Sequence, residues 1–191
     1  MVRVNILIAG VGGQGIITMG KMISNAASIE GVKVMVAETH GLAQRGGAVN
    51  IHVRLGNVYY PLIPKGGADY IVGLEASEAL RNLEYSNEGT VFVINKLSIR
   101  PVLPKVKAMN VEEVLSIIKG RKHYLLDAKS LADQAGNSKT MNSVLLGFLY
   151  GIGAFRGLIR EKSFEESLKS EENRRAFKLG LNEAIKLVTL L

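Results

Sequence analysis

Two glycine-rich polar segments hold most of the residues in this sequence with chemical potential. The first is Gly10-Val11-Gly12-Gly13-Gln14-Gly15, and the second is Glu38-Thr39-His40-Gly41-Leu42-Ala43-Gln44-Arg45-Gly46-Gly47. Gly10, Gly12 and Gly15 have the spacing with which a backbone turns tightly toward a pyrophosphate, whose charge the amides and dipole of a following helix favour. Glu38 ends the next strand-like run, where a dinucleotide fold places the acid that holds ribose hydroxyls. These residues point to an NAD(P) or flavin site. They fit equally a sharp strand-to-helix turn with close helix packing, with the Gln14 amide protruding to donate to an anion or a partner's backbone.

The second segment adds a titratable ring at His40, an amide at Gln44 and a guanidinium at Arg45, followed by Gly46 and Gly47. Arg45 can grip a carboxylate or phosphate through two parallel hydrogen bonds. His40 is a weak candidate proton carrier, because no nucleophile neighbours it in the sequence. A loop so rich in glycine is costly to order and is a poor choice for a mere connector.

Periodicity supplies the elements that must position these segments. Val4–Ala9 reads as a buried parallel strand, Ile16–Ala27 as a helix with one apolar face ended by Gly31, and Val32–Ala37 as a second strand after a right-handed crossover. Val49–Leu55 alternates, which places His52 on a solvated face, and Gly56-Asn57 predicts a hairpin into Val58-Tyr59-Tyr60. Strands follow at 68–74, 90–95 and 123–127, with helices starting at Glu75 and over 111–118 and 130–135. Pro101 and Pro104 bracket an extended connection. A broad apolar helix face from Met141 to Ile152, bearing Gly147, Gly151 and Gly153, precedes a charged amphipathic tail. The order implies a three-layer α/β/α sandwich, Rossmann-like, with a mixed sheet of mostly parallel strands.

Composition narrows the function. The 191 residues suit a single domain spanning 1–191, since a chain of this size buries about 70% of its unfolded surface. The net charge of +7 is dispersed, with no basic stripe interleaved with aromatics, so a nucleic-acid partner is not expected. Cysteine is absent, which excludes disulfides, thiolate zinc sites and cysteine-held iron-sulfur clusters within the chain. Any such cluster must sit in a partner. No basic leader precedes the first strand, so the cytoplasm is expected, and the apolar runs stop short of the roughly 20 residues of a membrane span.

The two glycine segments in this order, with Asn142-Ser143-Val144-Leu145-Leu146-Gly147 as a third, resemble the gamma-type subunits of the 2-oxoacid:ferredoxin oxidoreductases, nearest the small (beta) subunits of the indolepyruvate enzymes. The resemblance covers essentially the whole chain. It implies a subunit, inactive alone, of an enzyme that oxidatively decarboxylates a 2-oxoacid to acyl-coenzyme A and passes electrons to ferredoxin. Thiamine diphosphate and [4Fe-4S] clusters would lie in the larger partner subunit. Gly10, Gly12, Gly13, Gln14, Gly15, Glu38, Gln44, Arg45, Gly46 and Gly47 are the candidate cofactor-binding residues, with the glycine loop approaching either a cofactor or a phosphate of coenzyme A as a shared ligand, and Gly12, Gly13, Gln14, His40, Gln44 and Arg45 would lie at the shared site or interface.

Overall fold

Strand β1 (Arg3–Val11) is buried along most of its length, and the other strands are laid out around it. The computed structural model describes residues 2–41, 47–99 and 109–189. The remaining strands are β2 (Val34–His40), β3 (Ala48–Gly56), β4 (Tyr70–Gly73), β5 (Val91–Asn95) and β6 (His123–Leu126), in the sheet order β2-β3-β1-β4-β5-β6. β4, β5 and β6 continue β1 in parallel, whereas β3 is antiparallel to both β1 and β2. The expected mixed, mostly parallel sheet is therefore present, with one correction. β1 and β2 run in the same direction but are not neighbours, because β3 enters between them.

Alternate residues of β1 face different layers. Ile6 and Ile8 join α1 (Ile16–Ile29), α4 (Ala128–Gln134), α5 (Met141–Gly151), α6 (Glu161–Ser167) and α7 (Glu171–Thr189) in the larger core, while Leu7 joins α2 (Ala76–Arg81) and α3 (Val111–Ile117) on the other side. The helix α1 buries Ile16, Met19, Met22, Ile23, Ala26 and Ala27, as its spacing predicts, and Ile17 falls outside that face. Its far end is tied to α6: Glu30 accepts from Arg160 Nε at 2.9 Å and from the Ser163 hydroxyl, and the Arg160 hydrogen bond holds the Glu30 carboxyl down at about 2. Among the described residues no helix is long and apolar enough to cross a membrane. The Pro101–Pro104 connection lies outside the described residues.

Two expectations at β3 are corrected together. Residues 58–60 form no strand, and His52 is not solvated but 1% exposed. The cause is that β3 is covered on both faces, one by α1 and the other by the segment after Gly56, which crosses over the sheet instead of pairing beside it. Polar side chains of β3 hold that segment: Arg54 Nη1 donates to the carbonyls of Tyr60 (2.8 Å) and Leu62 (3.1 Å), and the Ile63 N–H donates to His52 Nδ1 at 3.3 Å. The proton of His52 is thus on Nε2, which has no hydrogen-bond partner, and the ring meets Tyr85 edge-on at 5.2 Å.

A pH dependence follows. Burial pushes His52 below its ordinary value of 6.5, so the unfolded chain takes up a proton before the folded one. Stability is complete above that value and is lost as pH falls through it. The limiting slope is about 1.4 kcal/mol per pH unit. Glu78, which burial raises above 4.5, acts in the opposite sense in wild type and in a His52 variant alike, so the difference between the two in urea unfolding between pH 7.5 and 5.5 isolates His52. Wild type is expected to lose stability across it more steeply than His52→Gln; equal slopes would contradict the assignment.

Candidate functional site

The carboxyl end of β1 builds the site. After Gly10 and Val11 the chain turns, with the Gln14 N–H donating to the Val11 carbonyl at 3.2 Å. The Gln14 side chain does not protrude. Its Oε1 accepts from the Val11 N–H at 2.7 Å, and its Nε2 lies 3.4 Å from the Leu74 carbonyl just beyond β4. A β-carbon on Gly10 would stand 2.6 Å from that Oε1, so the glycine makes room for the glutamine. Gly15 precedes α1 at φ +79°, a conformation suited to glycine, and Asn142 Nδ2 of α5 donates to its carbonyl at 3.3 Å.

The second glycine segment meets the first. The Gly12 N–H donates to the Gly47 carbonyl at 3.0 Å, and Gly41 N–H donates to the Ala48 carbonyl at 3.0 Å, so both loops converge at the start of β3. Gly12 and Gly13 are exposed. Gln44, Arg45 and Gly46 lie outside the described residues.

Glu38 and His40 stand together on exposed β2, His40 Nε2 3.2 Å from Glu38 Oε2. An exposed pair of this kind adds little stability. The intervention of β3 sets Glu38 two strand spacings from β1, roughly 10 Å. In a dinucleotide fold the ribose acid ends the strand next to β1. The crevice between β1 and β4, where a pyrophosphate would enter, is bridged by protein groups: the Leu74 N–H donates to the Ala9 carbonyl at 2.8 Å, and both Gln14 and Asn95 reach the Leu74 carbonyl, the latter at 3.0 Å. An autonomous dinucleotide site is therefore not favoured.

Several polar residues around this end escape a reading by motif. Asn95 also accepts from the Ala128 N–H at 3.1 Å, tying β5 to α4. Asn50 and Asn82 exchange hydrogen bonds of 2.8 and 3.1 Å between β3 and α2. Glu75 accepts from Ser77, Glu78 N–H and Ile99 N–H, ordering the chain after β4. Glu78 is 3.1 Å from Arg81 Nε through one oxygen, and its buried Oε2 has no hydrogen-bond partner. The available signal was a polar residue ending a buried apolar strand, as Asn95 does after Val91–Ile94. Among the described residues no group of three or more His, Asp or Glu side chains is placed to hold a metal ion.

The fold and the joined loops define a Rossmann-like α/β chain whose glycine turn is closed on its own backbone and whose outer surface is presented beside a second loop. Comparison with known proteins places it further: residues 5–183 match the family described as pyruvate ferredoxin/flavodoxin oxidoreductase, and the chain belongs to that family. It is 38% identical to the indolepyruvate oxidoreductase subunit IorB of Archaeoglobus fulgidus, over 96% of each chain, and 36% identical to that of Thermococcus kodakarensis over 100% of each. In fold it is similar to the keto/oxoacid ferredoxin oxidoreductase gamma subunit of Geobacter sulfurreducens, with a TM-score of 0.71 at 22% identity covering 96% of this chain and 99% of that one. It is also similar to the 2-oxoglutarate:ferredoxin oxidoreductase of Magnetococcus marinus, with a TM-score of 0.71 at 21% identity covering all of this chain and 32% of that one. These findings bear out the resemblance carried by the two glycine segments.

Proposed function

We propose that this chain is the small subunit of an indolepyruvate-type 2-oxoacid:ferredoxin oxidoreductase. In the overall reaction the bond between the carboxylate and the keto carbon breaks to release carbon dioxide. The acyl group passes to the coenzyme A thiol, and the electron pair goes to ferredoxin. The observation that carries this reading is the end-to-end likeness to the two indolepyruvate oxidoreductase subunits, which extends over 96% or more of each chain. The absence of cysteine supports assigning the [4Fe-4S] clusters to a larger partner subunit, together with thiamine diphosphate, which would supply the decarboxylation chemistry there.

The contribution of this chain is binding and positioning. The exposed turn at Gly13, ahead of α1, and the guanidinium of Arg45 in the second glycine segment are the groups we assign to the phosphates of coenzyme A. A Magnetococcus marinus enzyme of similar fold was solved with coenzyme A bound, which is consistent with this reading. Gln14 shapes the turn and is not assigned a ligand contact. In the assembled complex, Arg45→Ala is expected to raise the KM for coenzyme A about tenfold, the equivalent of one charge-assisted hydrogen bond. Gln14→Ala is expected to act mainly on stability. An unchanged KM in Arg45→Ala would remove the coenzyme A assignment.

A further inference from the structure

The end of β1 opposite the glycine loops carries a surface that neither the fold nor the loop site uses. Val2, Tyr59, Tyr60 and Leu62 are 54%, 69%, 75% and 52% exposed. The Asn57 N–H bonds to the Val2 carbonyl and the Gly56 N–H to the Lys33 carbonyl, which ties the chain ahead of β1 and β2 to the segment carrying the tyrosines, and Lys33 Nζ stands 4.8 Å from the Tyr59 ring centre. Along β1, Arg3 to Val11, this surface is roughly 27 Å from the glycine turn at 3.3 Å per residue.

This apolar shelf is held rigid from below. Val58 and Ile63 at its two ends are buried to 1% and 2% exposure. Between them Arg54 fixes the Tyr60 and Leu62 carbonyls, and its Nε donates to Asn5 Oδ1 at 2.9 Å, while His52 accepts from Ile63 N–H. A buried guanidinium and a buried imidazole thus hold a segment whose Tyr59, Tyr60 and Leu62 side chains are exposed. Tyrosines presented in this way contribute large contact area at low entropic cost, the residue type that dominates protein interfaces.

Charge selects the occupant. Lys33 lies over Tyr59, Arg3 pairs with Gly56 just ahead of the segment, neither makes a salt bridge among the described residues, and the chain carries +7 overall. A second copy of the chain would bring these cations toward one another. A partner with an apolar pocket rimmed by carboxylates fits instead. We infer that the Val2/Tyr59/Tyr60/Leu62 shelf docks the larger subunit through such a pocket, separately from the glycine loops. The inference rests on the proposed subunit function.

The test is binding of the full chain to the purified larger subunit, followed by calorimetry at low and physiological salt. Tyr59→Ala/Tyr60→Ala is expected to weaken the complex at least tenfold without changing the far-UV spectrum or melting temperature, because both side chains are largely in solvent. Lys33→Glu is expected to slow association and flatten its salt dependence. Ile185→Ala on α7, 51% exposed, serves as a control and is expected to bind as wild type. Wild-type binding matched by the double tyrosine variant would overturn the docking surface and leave the subunit function standing. Failure of wild type to bind the larger subunit would overturn the function and the inference with it. Self-association of the wild-type chain that the tyrosine substitutions abolish would assign the shelf to a second copy and overturn the inference.

Discussion

Gly147→Ala is expected to melt roughly 6–12 °C below wild type, a loss of about 3 kcal/mol at the 2–4 °C per kcal/mol of a chain this size. Helix propensity alone predicts the reverse, since alanine is favoured over glycine inside a helix by about 1 kcal/mol. Packing decides the sign. A β-carbon on Gly147 would stand 1.9 Å from the Phe177 carbonyl oxygen of α7, and one on Gly180 would stand 1.9 Å from the Val144 carbonyl oxygen of α5. Each glycine receives the backbone of the other helix. The obstruction is main chain, so no rotamer change relieves it, and relief requires the helices to separate. Separation would expose the buried Phe148, Phe155, Phe164 and Phe177 cluster. Thermal unfolding followed by circular dichroism checks this, and an unchanged or raised melting temperature would contradict the close crossing.

Arg54→Met is expected to cost about 2–3 kcal/mol, because it removes donors from three acceptors at once. Burial of the guanidinium without a carboxylate beside it offsets part of what the hydrogen bonds contribute, and this keeps the expected loss below a simple sum. Asn5 remains anchored, as its N–H donates to Asp69 Oδ2 and its Nδ2 to the Gly67 carbonyl, both at 2.7 Å. The loss therefore falls on the 57–63 segment, which should become the first site of proteolytic cleavage. Arg54→Lys keeps the charge but not the fork of donors, so only partial recovery is expected. Urea unfolding and limited proteolysis read both effects, and a segment still protected in Arg54→Met would show that Arg54 does not hold it.

The central strands and most helices were legible because each has a single periodicity with a clear solvent side. Ile6, Ile8, Val93 and Phe148 all stand where apolar patterning places them. Strand order was not legible. Nothing local to Val49–Leu55 says that it inserts between β1 and β2, and that one insertion separates Glu38 from the glycine turn. His52 failed for a related reason: alternation predicts a wet face only where one face is bare, and the cover comes from Ile63, eleven positions later along the chain.

At the candidate site the residue types were legible and their directions were not. Gln14 was identifiable as unusual, yet its partners, Val11 and Leu74, show it folding inward to close the turn. Asn142 was visible only as part of a resembling segment, and its hydrogen bond to Gly15 spans 127 positions. Glycines 147 and 151 suggested a close neighbour, which proves to be α7 of the same chain. Convergence of the two loops through Gly12 and Gly47 is the feature that agrees best with the sequence reading.

The most direct test of the subunit assignment is indolepyruvate- and coenzyme A-dependent reduction of ferredoxin, measured for this chain, for the purified larger subunit, and for the two together. Activity is expected only from the mixture, with the isolated chain colourless and without NAD(P)H binding. Turnover by this chain alone with a nicotinamide or flavin cofactor, or full activity of the larger subunit without it, would contradict the assignment.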